Sequence, residues 1–294
     1  MSEAKPFQLD PNESRKVGYI PQKQIDYYAL RLHVIAGDLS ANQLKAVAEV
    51  AEKYGRGEVH ISTRQGMEIH FVHASNLDTA RLELDAAGIK MGACGPRVRI
   101  VMGCPGSATC KFGIIETKAI AKELDRRYFR TDTPYKFKMS VTGCSHNCAK
   151  ATENDLGVMG GLLPAWDKNI CIDCNLCVNI CPTKAISKQE VNGKSEYVLE
   201  ESACINCSVC TLSCPVNSWT ASKSGYTLLI GGTLGKIPRL ASVLKKYIPT
   251  EEELFNLVER SIDFYRKNGR KKERFGHTLD RLGLETVKKE ILGE

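Results

Sequence analysis

The sequence predicts an α+β fold with a small cysteine-rich domain inserted into it. Short stretches typical of strands alternate with longer stretches typical of helices along most of the chain. A block at about 168–220 breaks this periodicity and holds eight of the thirteen cysteines. Because periodic sequence resumes after the block, it is predicted to be inserted into a larger domain.

The first unit is predicted at residues 26–95, behind an N-terminal extension at 1–25. A strand is expected at about 28–35, where apolar and polar residues alternate. The following helix should begin at a capping box that starts with Ser40 and should end at Gly55. The remaining elements are two strands at about 58–62 and 67–72, joined by the turn TRQG, and a helix at about 77–87.

The second unit is predicted in two parts, at 96–167 and 221–294, with the inserted domain at 168–220 between them. Its expected elements are a strand in VRIVM, a helix near 115–128, a strand in KFKMSV, a strand at 226–230 and a helix that starts at Thr250. One pair of cysteines follows each of the first two strands.

The charge balance disfavours a nucleic-acid partner. Forty-one Lys and Arg against 34 Asp and Glu give a net charge of only +7. The densest basic stretch, RKNGRKKER at 266–274, has no interleaved aromatic residues on which bases could stack. It is interpreted as a solvated helix end and turn, or as a docking patch for an acidic electron carrier.

The sequence also predicts a cytoplasmic protein without a membrane span. The N-terminal segment lacks the apolar core of an export signal, and no apolar run reaches the roughly 18 residues that cross a bilayer. In a chain that is not exported, thirteen cysteines indicate metal binding and redox chemistry rather than a disulfide framework.

The cysteine-rich block contains one motif twice. It reads CIDCNLCVNIC followed by Pro182, and later CINCSVCTLSC followed by Pro215. This is the pattern of bacterial two-cluster ferredoxins, in which the fourth cysteine of each run ligates the cluster of the other run. A zinc ribbon would not explain why a run of three closely spaced cysteines and a fourth occurs twice, each time followed by a proline. We therefore assign one 4Fe-4S cluster to Cys171, Cys174, Cys177 and Cys214, and a second to Cys204, Cys207, Cys210 and Cys181.

Four further cysteines form two pairs that lie far apart in the sequence. They are Cys104 and Cys110, then Cys144 and Cys148. Taken alone, their spacing fits an iron-sulfur cluster, two redox disulfides or a zinc site. The thirteenth cysteine, Cys94, is predicted to be a buried thiol.

Two lysines near the second of these pairs are candidate anion ligands. Lys136 and Lys138 lie two apart on a predicted strand, so both should face one side while Phe137 packs on the other. Their charges repel each other, and an anion bound between them would neutralise this repulsion. The alternative is an ordinary solvated pair of surface lysines.

Nearly the whole chain resembles the sulfite and nitrite reductase family. The resemblance rests on TRQGMEIHFV at 63–72, VRIVMGCPGSATC at 98–110, KFKMSVTGCSHNC at 136–148, NDLGVMGG at 154–161, and GYTLLIGGTLG in the C-terminal part. It implies one half-repeat of that family's α+β fold, with a ferredoxin-like half-domain and a siroheme and 4Fe-4S domain. The inserted two-cluster ferredoxin domain is expected within the latter.

The resemblance also implies the cofactors. In the family the four separate cysteines hold a 4Fe-4S cluster, and the last of them, which carries over to Cys148, also bridges to the iron of siroheme. The implied set is siroheme and three 4Fe-4S clusters. Gln65 and His70 are predicted to face the macrocycle, although a strand histidine is also common as hydrogen-bonded structure.

The family's anion site maps onto Arg64, Arg99, Lys136 and Lys138. Arginine stays protonated and offers a planar fork to an oxyanion, whereas lysine can also deliver protons. The two lysines are therefore the candidate proton donors. Nitrite-reducing relatives often carry asparagine at the second lysine position, so Lys138 favours sulfite.

The implied activity is the six-electron reduction of sulfite to sulfide. The alternatives are reduction of nitrite to ammonia, a non-catalytic iron-sulfur electron-transfer subunit, and a ferredoxin-like subunit that binds a sulfur-carrier partner. Many relatives carry two reductase halves in one chain, so this single half is expected to form a homo-oligomer or a complex with a related subunit, as in dissimilatory and anaerobic sulfite reductases. No flavin or nicotinamide fingerprint is present, so an external ferredoxin or flavoprotein subunit should donate the electrons.

Overall fold

Three β-sheets with the helices packed on them make up the described part of the chain, residues 10–294 of this computed structural model. The first nine residues of the predicted N-terminal extension lie outside the described residues. The strands are β1 (Tyr19–Pro21), β2 (Tyr27–Arg31), β3 (Val59–Ile61), β4 (Met67–His73), β5 (Met102–Gly103), β6 (Met139–Thr142), β7 (Leu156–Trp166), β8 (Ile186–Val191), β9 (Lys194–Leu199), β10 (Trp219–Ile230) and β11 (Ser242–Ile248).

Helices connect and cover these strands. They are α1 (Pro11–Lys16), α2 (Ala41–Tyr54), α3 (Leu77–Ala86), α4 (Thr117–Tyr128), α5 (Leu176–Ile180), α6 (Val209–Ser213), α7 (Glu251–Asn268), α8 (Phe275–Leu282) and α9 (Leu284–Leu292). Among the helices of the described residues, none is long and apolar enough to cross a membrane.

The first sheet and its core are formed by residues 19–91. The sheet has the order β1-β2-β4-β3, and all neighbouring strands are antiparallel. Helices α2 and α3 pack on it through apolar residues such as Val50 and Leu84. The predicted capping box at Ser40 and helix end at Gly55 are confirmed. Strand β1 lies within the predicted N-terminal extension, because a three-residue edge strand is too short to show alternation in the sequence.

The second sheet, in the order β11-β10-β7-β6-β5, carries the larger core. Strands β5, β6 and β7 are parallel neighbours, while β7, β10 and β11 pair antiparallel. Strands β5 and β6 are shorter than the strands predicted in VRIVM and KFKMSV. The N–H of Val101 donates to the buried carboxylate of Asp125 at 3.3 Å instead of to a neighbouring strand. The N–H of Lys138 likewise donates to the carboxylate of Asp155 at 2.8 Å.

The long antiparallel pair of β7 and β10 carries the cysteine-rich segment at its end. The pairing reaches Trp166 opposite Trp219, and residues 167–218 lie between these two strand ends. That the block at 168–220 is an inserted ferredoxin domain stays a prediction. This segment contains the β8–β9 hairpin, the short helices α5 and α6, and an apolar cluster of its own.

We expect Ser40→Ala to loosen the first turn of α2. The Ser40 hydroxyl accepts the N–H of Gln43 at 3.2 Å, and the Gln43 side chain accepts the N–H of Ser40 at 2.9 Å. Loss of such a cap costs about 1 kcal/mol, so hydrogen–deuterium exchange of residues 41–46 should become roughly fivefold faster. Ser187→Ala, at an exposed position of β8, is the control, and equal exchange in the two variants would contradict a stabilising cap.

Candidate functional site

Parallel pairing of β5 and β6 brings two distant cysteines to one edge of the second sheet. Gly103, the last residue of β5, lies opposite Val141 near the end of β6. Cys104 directly follows β5, and Cys144 follows β6 after one glycine, Gly143. Since the carboxyl ends of parallel strands lie at the same edge of a sheet, the first cysteine of each separate pair is placed beside the other.

The other two cysteines of these pairs join them. We call the four the core group: Cys104, Cys110, Cys144 and Cys148. Burial raises the pKa of the Cys144 thiol, and the charges of the other three thiols raise it further because they lie close by. The N–H of Gly143 donates to the sulfur of Cys104 at 3.0 Å, which stabilises a thiolate. Cys148 is exposed, whereas Cys104 and Cys144 are buried, so the core group is accessible on its Cys148 side.

Glycines let the backbones around the core group approach one another. A Cβ on Gly143 would lie 3.2 Å from Gly106 and 3.3 Å from Gly113. Gly160 of β7 faces the carbonyl oxygen of Gly143, and a Cβ on Gly160 would lie 2.2 Å from that oxygen. The loop that carries Cys144 can occupy its position only because Gly160 has no side chain.

The eight cysteines of residues 167–218 surround two cavities. The inner group is Cys181, Cys204, Cys207 and Cys210 around one cavity, and the outer group is Cys171, Cys174, Cys177 and Cys214 around the other. These are the crossed groupings that the sequence motif predicts; that a cluster occupies each stays a prediction. In the described part of the chain, no set of three or more Cys, His, Asp or Glu side chains is arranged to hold a single metal ion. A cluster instead takes thiols spread around a volume.

Backbone donors face the sulfurs of both groups. The N–H of Ala185 donates to the sulfur of Cys181, and the N–H of Ser218 donates to the sulfur of Cys214, both at 3.2 Å. Burial acts to raise the pKa of the Cys214 thiol. Hydrogen bonds from the Ser218 side chain and from nearby backbone outweigh this effect and lower the pKa to about 7. Such donors suit the thiolate ligands of an iron-sulfur cluster.

The three cysteine groups follow one another along β7. Gly160 packs on the core group's loop. The N–H of Leu162 then donates to the carbonyl of Asn206, which belongs to the inner group's loop, at 3.4 Å. Trp166, at the end of the strand, packs in the apolar cluster that contains Cys171, Cys177 and Cys214 of the outer group together with Cys210 of the inner group. A strand rises about 3.3 Å per residue, so Gly160 and Trp166 are roughly 20 Å apart.

A cationic cavity of about 360 Å³ lies between the first sheet and the second unit. The cations that line it are Arg31, Arg64, Arg99, Lys136 and Lys138, and the carboxylate that lines it is that of Glu68. All four residues predicted for the anion site therefore meet here. Phe137, between the two lysines, is fully buried in the core, which confirms that the lysines share one face.

The positive charge in this cavity is poorly solvated. Burial lowers the pKa of Arg64 to about 10 and also lowers the pKa of Arg99. Burial, with the positive charges of Arg64 and Arg274 nearby, lowers the pKa of Lys138 to about 8. The buried Nε of Arg99 has no hydrogen-bond partner within residues 10–294. Groups in this state are stabilised by a bound anion.

Backbone carbonyls and one amide fix the arginines. Arg64 donates to the side chain of Asn154 at 2.6 Å and to the carbonyl of Ile100 at 3.0 Å. Arg99 donates to the carbonyls of Ala93 and Gly95, on either side of Cys94, at 2.8 and 2.9 Å. Both guanidinium groups are therefore held rigidly at the cavity wall.

The sequence reasoning missed Arg31 as a residue of the cavity and underestimated Cys94. Arg31 lies opposite Glu68 across β2 and β4, donates to its carboxylate at 2.7 Å, and also donates to the sulfur of Cys94. Cys94 is a buried thiol, as predicted, but it lines the cavity. The sequence showed that Arg31 lies on the polar face of its strand. It did not show the strand register, which places Arg31 opposite Glu68 and at the cavity.

Gln65 and His70 do not line the cavity. The amide of Gln65 donates to the carbonyl of Gly103 at 2.8 Å and accepts the N–H of Gly103 at 2.9 Å, so it clamps the TRQG turn to β5. His70 bonds to Glu68 at 3.2 Å and stacks on His60 at the surface of the first sheet. Both side chains are engaged in these bonds, and a role for either one beside a macrocycle stays a prediction.

The basic stretch at 266–274 is only partly solvated. Arg266 and Arg270 are exposed, as the sequence predicts. Arg274, its last residue, is buried and makes two bonds, at 3.0 and 2.6 Å, to the fully buried carboxylate of Asp155. The solvated interpretation is therefore wrong for Arg274, because the beginning of α8 packs into the core below the cavity.

Fold and site together define a class: an α+β protein with three groups of four cysteines and a cavity lined mainly by cations. Residues 94–294 match the nitrite and sulphite reductase 4Fe-4S domain, and residues 20–87 match the nitrite/sulfite reductase ferredoxin-like half domain. The chain belongs to the nitrite and sulfite reductase family. The family and the α+β reductase fold predicted from the sequence are confirmed.

Relatives in this family match most of the chain. The coenzyme F420-dependent sulfite reductase of Methanocaldococcus jannaschii is 28% identical over 285 residues, which cover 93% of this chain and 45% of that protein. A subunit of the anaerobic sulfite reductase of Salmonella typhimurium is 29% identical over 283 residues, 90% of this chain and 82% of that protein. The crystal structure of dissimilatory sulfite reductase I has a TM-score of 0.74 at 20% identity, over 91% of this chain and 69% of that chain, a likeness that shows the fold. The chain thus spans less than half the length of the first of these relatives.

We expect Gly160→Ala to disrupt the core group. The added methyl would lie 2.2 Å from the carbonyl oxygen of Gly143 and would push the loop of Cys144 away. Iron retained after anaerobic reconstitution should fall by about a third if three similar clusters are bound. Gly235→Ala, where a Cβ meets nothing within 4 Å, is the matched control. Equal iron content in both variants would show that the contact is unimportant.

Proposed function

We propose that the protein is a siroheme-dependent sulfite reductase, an oxidoreductase that reduces sulfite to sulfide with six electrons. The observation that carries this proposal is the meeting of Arg64, Arg99, Lys136 and Lys138 on one desolvated cavity. The names of the related proteins support it, because they describe sulfite reductases.

The residues present fit siroheme and iron-sulfur clusters. Five cations against one carboxylate line the cavity, which suits a macrocycle that carries several carboxylates together with an oxyanion. The exposed sulfur of Cys148 would hold the siroheme iron, and the core, inner and outer groups would each hold one 4Fe-4S cluster. When bound, these groups would relay electrons from an external donor and would provide the iron at which sulfite is reduced.

The side chains of the cavity bind the oxyanion and deliver protons. The guanidinium groups of Arg64 and Arg99 are fixed in place and stay charged, so they orient the sulfite oxygens. Each oxygen must leave as water, which requires protons at the substrate. Lys138, whose pKa is lowered to about 8, is charged at neutral pH and releases a proton more readily than an ordinary lysine. Lys136 lies on the same face as the second donor.

With clusters bound, the outer, inner and core groups would form an electron relay, with the outer group at its entry end. This order follows the sequence of contacts along β7, from Trp166 to Gly160. Ile172 and Leu176 in the outer group's loop are exposed, which leaves this end free for an external ferredoxin or flavoprotein subunit. The single reductase half is proposed to form a homo-oligomer or to associate with a related subunit.

Sulfite turnover and the visible absorption spectrum of the protein test the proposal. The anaerobically reconstituted protein, supplied with a reduced low-potential dye, should form sulfide from sulfite and should show the red absorption band of siroheme. Cys148→Ser should lose this band and the activity, whereas Ser145→Ala in the same loop should retain both. Ammonia formation from nitrite that is much faster than sulfide formation would indicate a nitrite reductase instead. Brown cluster absorbance with no red band would indicate an electron-transfer subunit.

Lys138→Asn should separate the two anions. We expect sulfite turnover to fall by about a hundredfold, because a positioned proton donor is lost, and nitrite turnover to fall less. Activity of the unmodified protein should decline as the pH rises through about 8, where Lys138 loses its proton, and the variant should lack this decline. Lys223→Asn, at an exposed position of β10, is the control. Equal losses for sulfite and nitrite would contradict a sulfite-specific role.

A further inference from the structure

Two buried residues directly before β7 lie below the cationic cavity without lining it. Asn154 is 3% exposed and Asp155 is fully buried. Each has polar side-chain atoms that must find partners inside the protein. Their partners are the residues to which the substrate chemistry is assigned.

Asn154 holds the guanidinium of Arg64. Its side-chain oxygen accepts from Arg64 Nη1 at 2.6 Å. Its side-chain nitrogen donates to the hydroxyl of Ser140 at 3.2 Å and to the carbonyl of Lys150 at 2.7 Å. The amide is therefore fixed from both ends, and because it is neutral it places Arg64 without changing the charge of the cavity.

Asp155 holds the backbone that carries Lys138. Its carboxylate accepts from Arg274 Nε at 3.0 Å and Nη2 at 2.6 Å, and from the N–H of Lys138 at 2.8 Å. Arg274 comes from the N-terminal end of α8, far along the chain. Burial raises the pKa of the Asp155 carboxyl, and the adjacent Arg274 guanidinium opposes this rise. As an ion pair, the two groups anchor this segment without adding net charge below the lysine.

Each partner of the pair would act on Lys138 differently if it stood alone. Asp155 favours the charged ammonium of Lys138, while Arg274 disfavours it together with Arg64 and Lys136. The further titratable groups around the same cavity are Arg31, Glu68, Cys94 and Arg99. Removing one member of the pair therefore leaves an unbalanced charge close to Lys138.

We propose that Asn154 and the Asp155–Arg274 ion pair are positioning residues of the reductase site. Asn154 aims the arginine that receives the oxyanion, and the ion pair fixes both the place and the electrostatic surroundings of the proton-donating lysine. This inference rests on the proposed function for the roles of Arg64 and Lys138.

Opposite charge changes provide the test. Asp155→Asn leaves Arg274 unbalanced and should lower the pKa of Lys138, whereas Arg274→Gln leaves Asp155 unbalanced and should raise it, each by about one pH unit. The titration of Lys138 is measured on the full-length reconstituted protein by trace acetylation with acetic anhydride at a series of pH values, with mass spectrometry of the peptide that contains Lys138. The alkaline decline of sulfite turnover should move in the same two directions.

Charge-balanced variants separate positioning from loss of structure. Arg274→Lys and the double variant Asp155→Asn with Arg274→Gln both keep the local net charge, so both should titrate close to the unmodified protein. A merely structural role would not give opposite shifts that cancel in the double variant. Shifts in the same direction for the two single variants, or none in either, would overturn the role of the ion pair.

The role of Asn154 has its own readout. Asn154→Ala should raise the KM for sulfite by about tenfold, the effect of losing one hydrogen bond to a charged group, and should leave the titration of Lys138 in place. A changed kcat with an unchanged KM would overturn this part. If the unmodified protein fails to reduce sulfite while the opposite titration shifts persist, the proposed function fails and the electrostatic role of the pair stands.

Discussion

The parallel pairing of β5 and β6 is the constraint on which the rest of the site depends. It places Cys104 and Cys144 at the same edge of the sheet, although the two residues are far apart in the sequence. Glycine contacts then keep the two cysteine loops close to each other and to β7. Both strands are short, and buried carboxylates accept the backbone N–H groups of the residues directly before them, Val101 and Lys138.

The second physical theme is the distribution of buried charge. Cations gathered in a desolvated cavity repel each other and lose solvation, so the unliganded site is electrostatically costly. The structure limits this cost by pairing Arg31 with Glu68 at the rim and Arg274 with Asp155 below it. Removing one partner of a buried ion pair destabilises the fold by far more than the intact pair stabilises it, because the other charge is left buried and unpaired. The same arrangement leaves Arg64, Arg99 and the two lysines available to an anion.

Strand β7 connects these features. The two residues directly before it hold Arg64 and Lys138, its middle packs on the core group, and its far end carries the cysteine-rich segment. One rigid element thus sets the spacing of all three cysteine groups relative to the cavity. The strand is paired with β10 along its length and with β6 over its first four residues, and these hydrogen bonds limit its freedom to bend.

The sequence by itself determined the α+β class, the capped helix at Ser40, the grouping of the motif cysteines, and the shared face of Lys136 and Lys138. These features follow from local spacing, because periodicity, caps and ligand motifs are properties of neighbouring residues. Only the tertiary structure decided that Arg31 and Cys94 line the cavity, that Gln65 clamps β5, and that Arg274 is buried against Asp155. Those contacts join residues distant in the chain, and strand register and helix packing, which local sequence does not encode, bring them together.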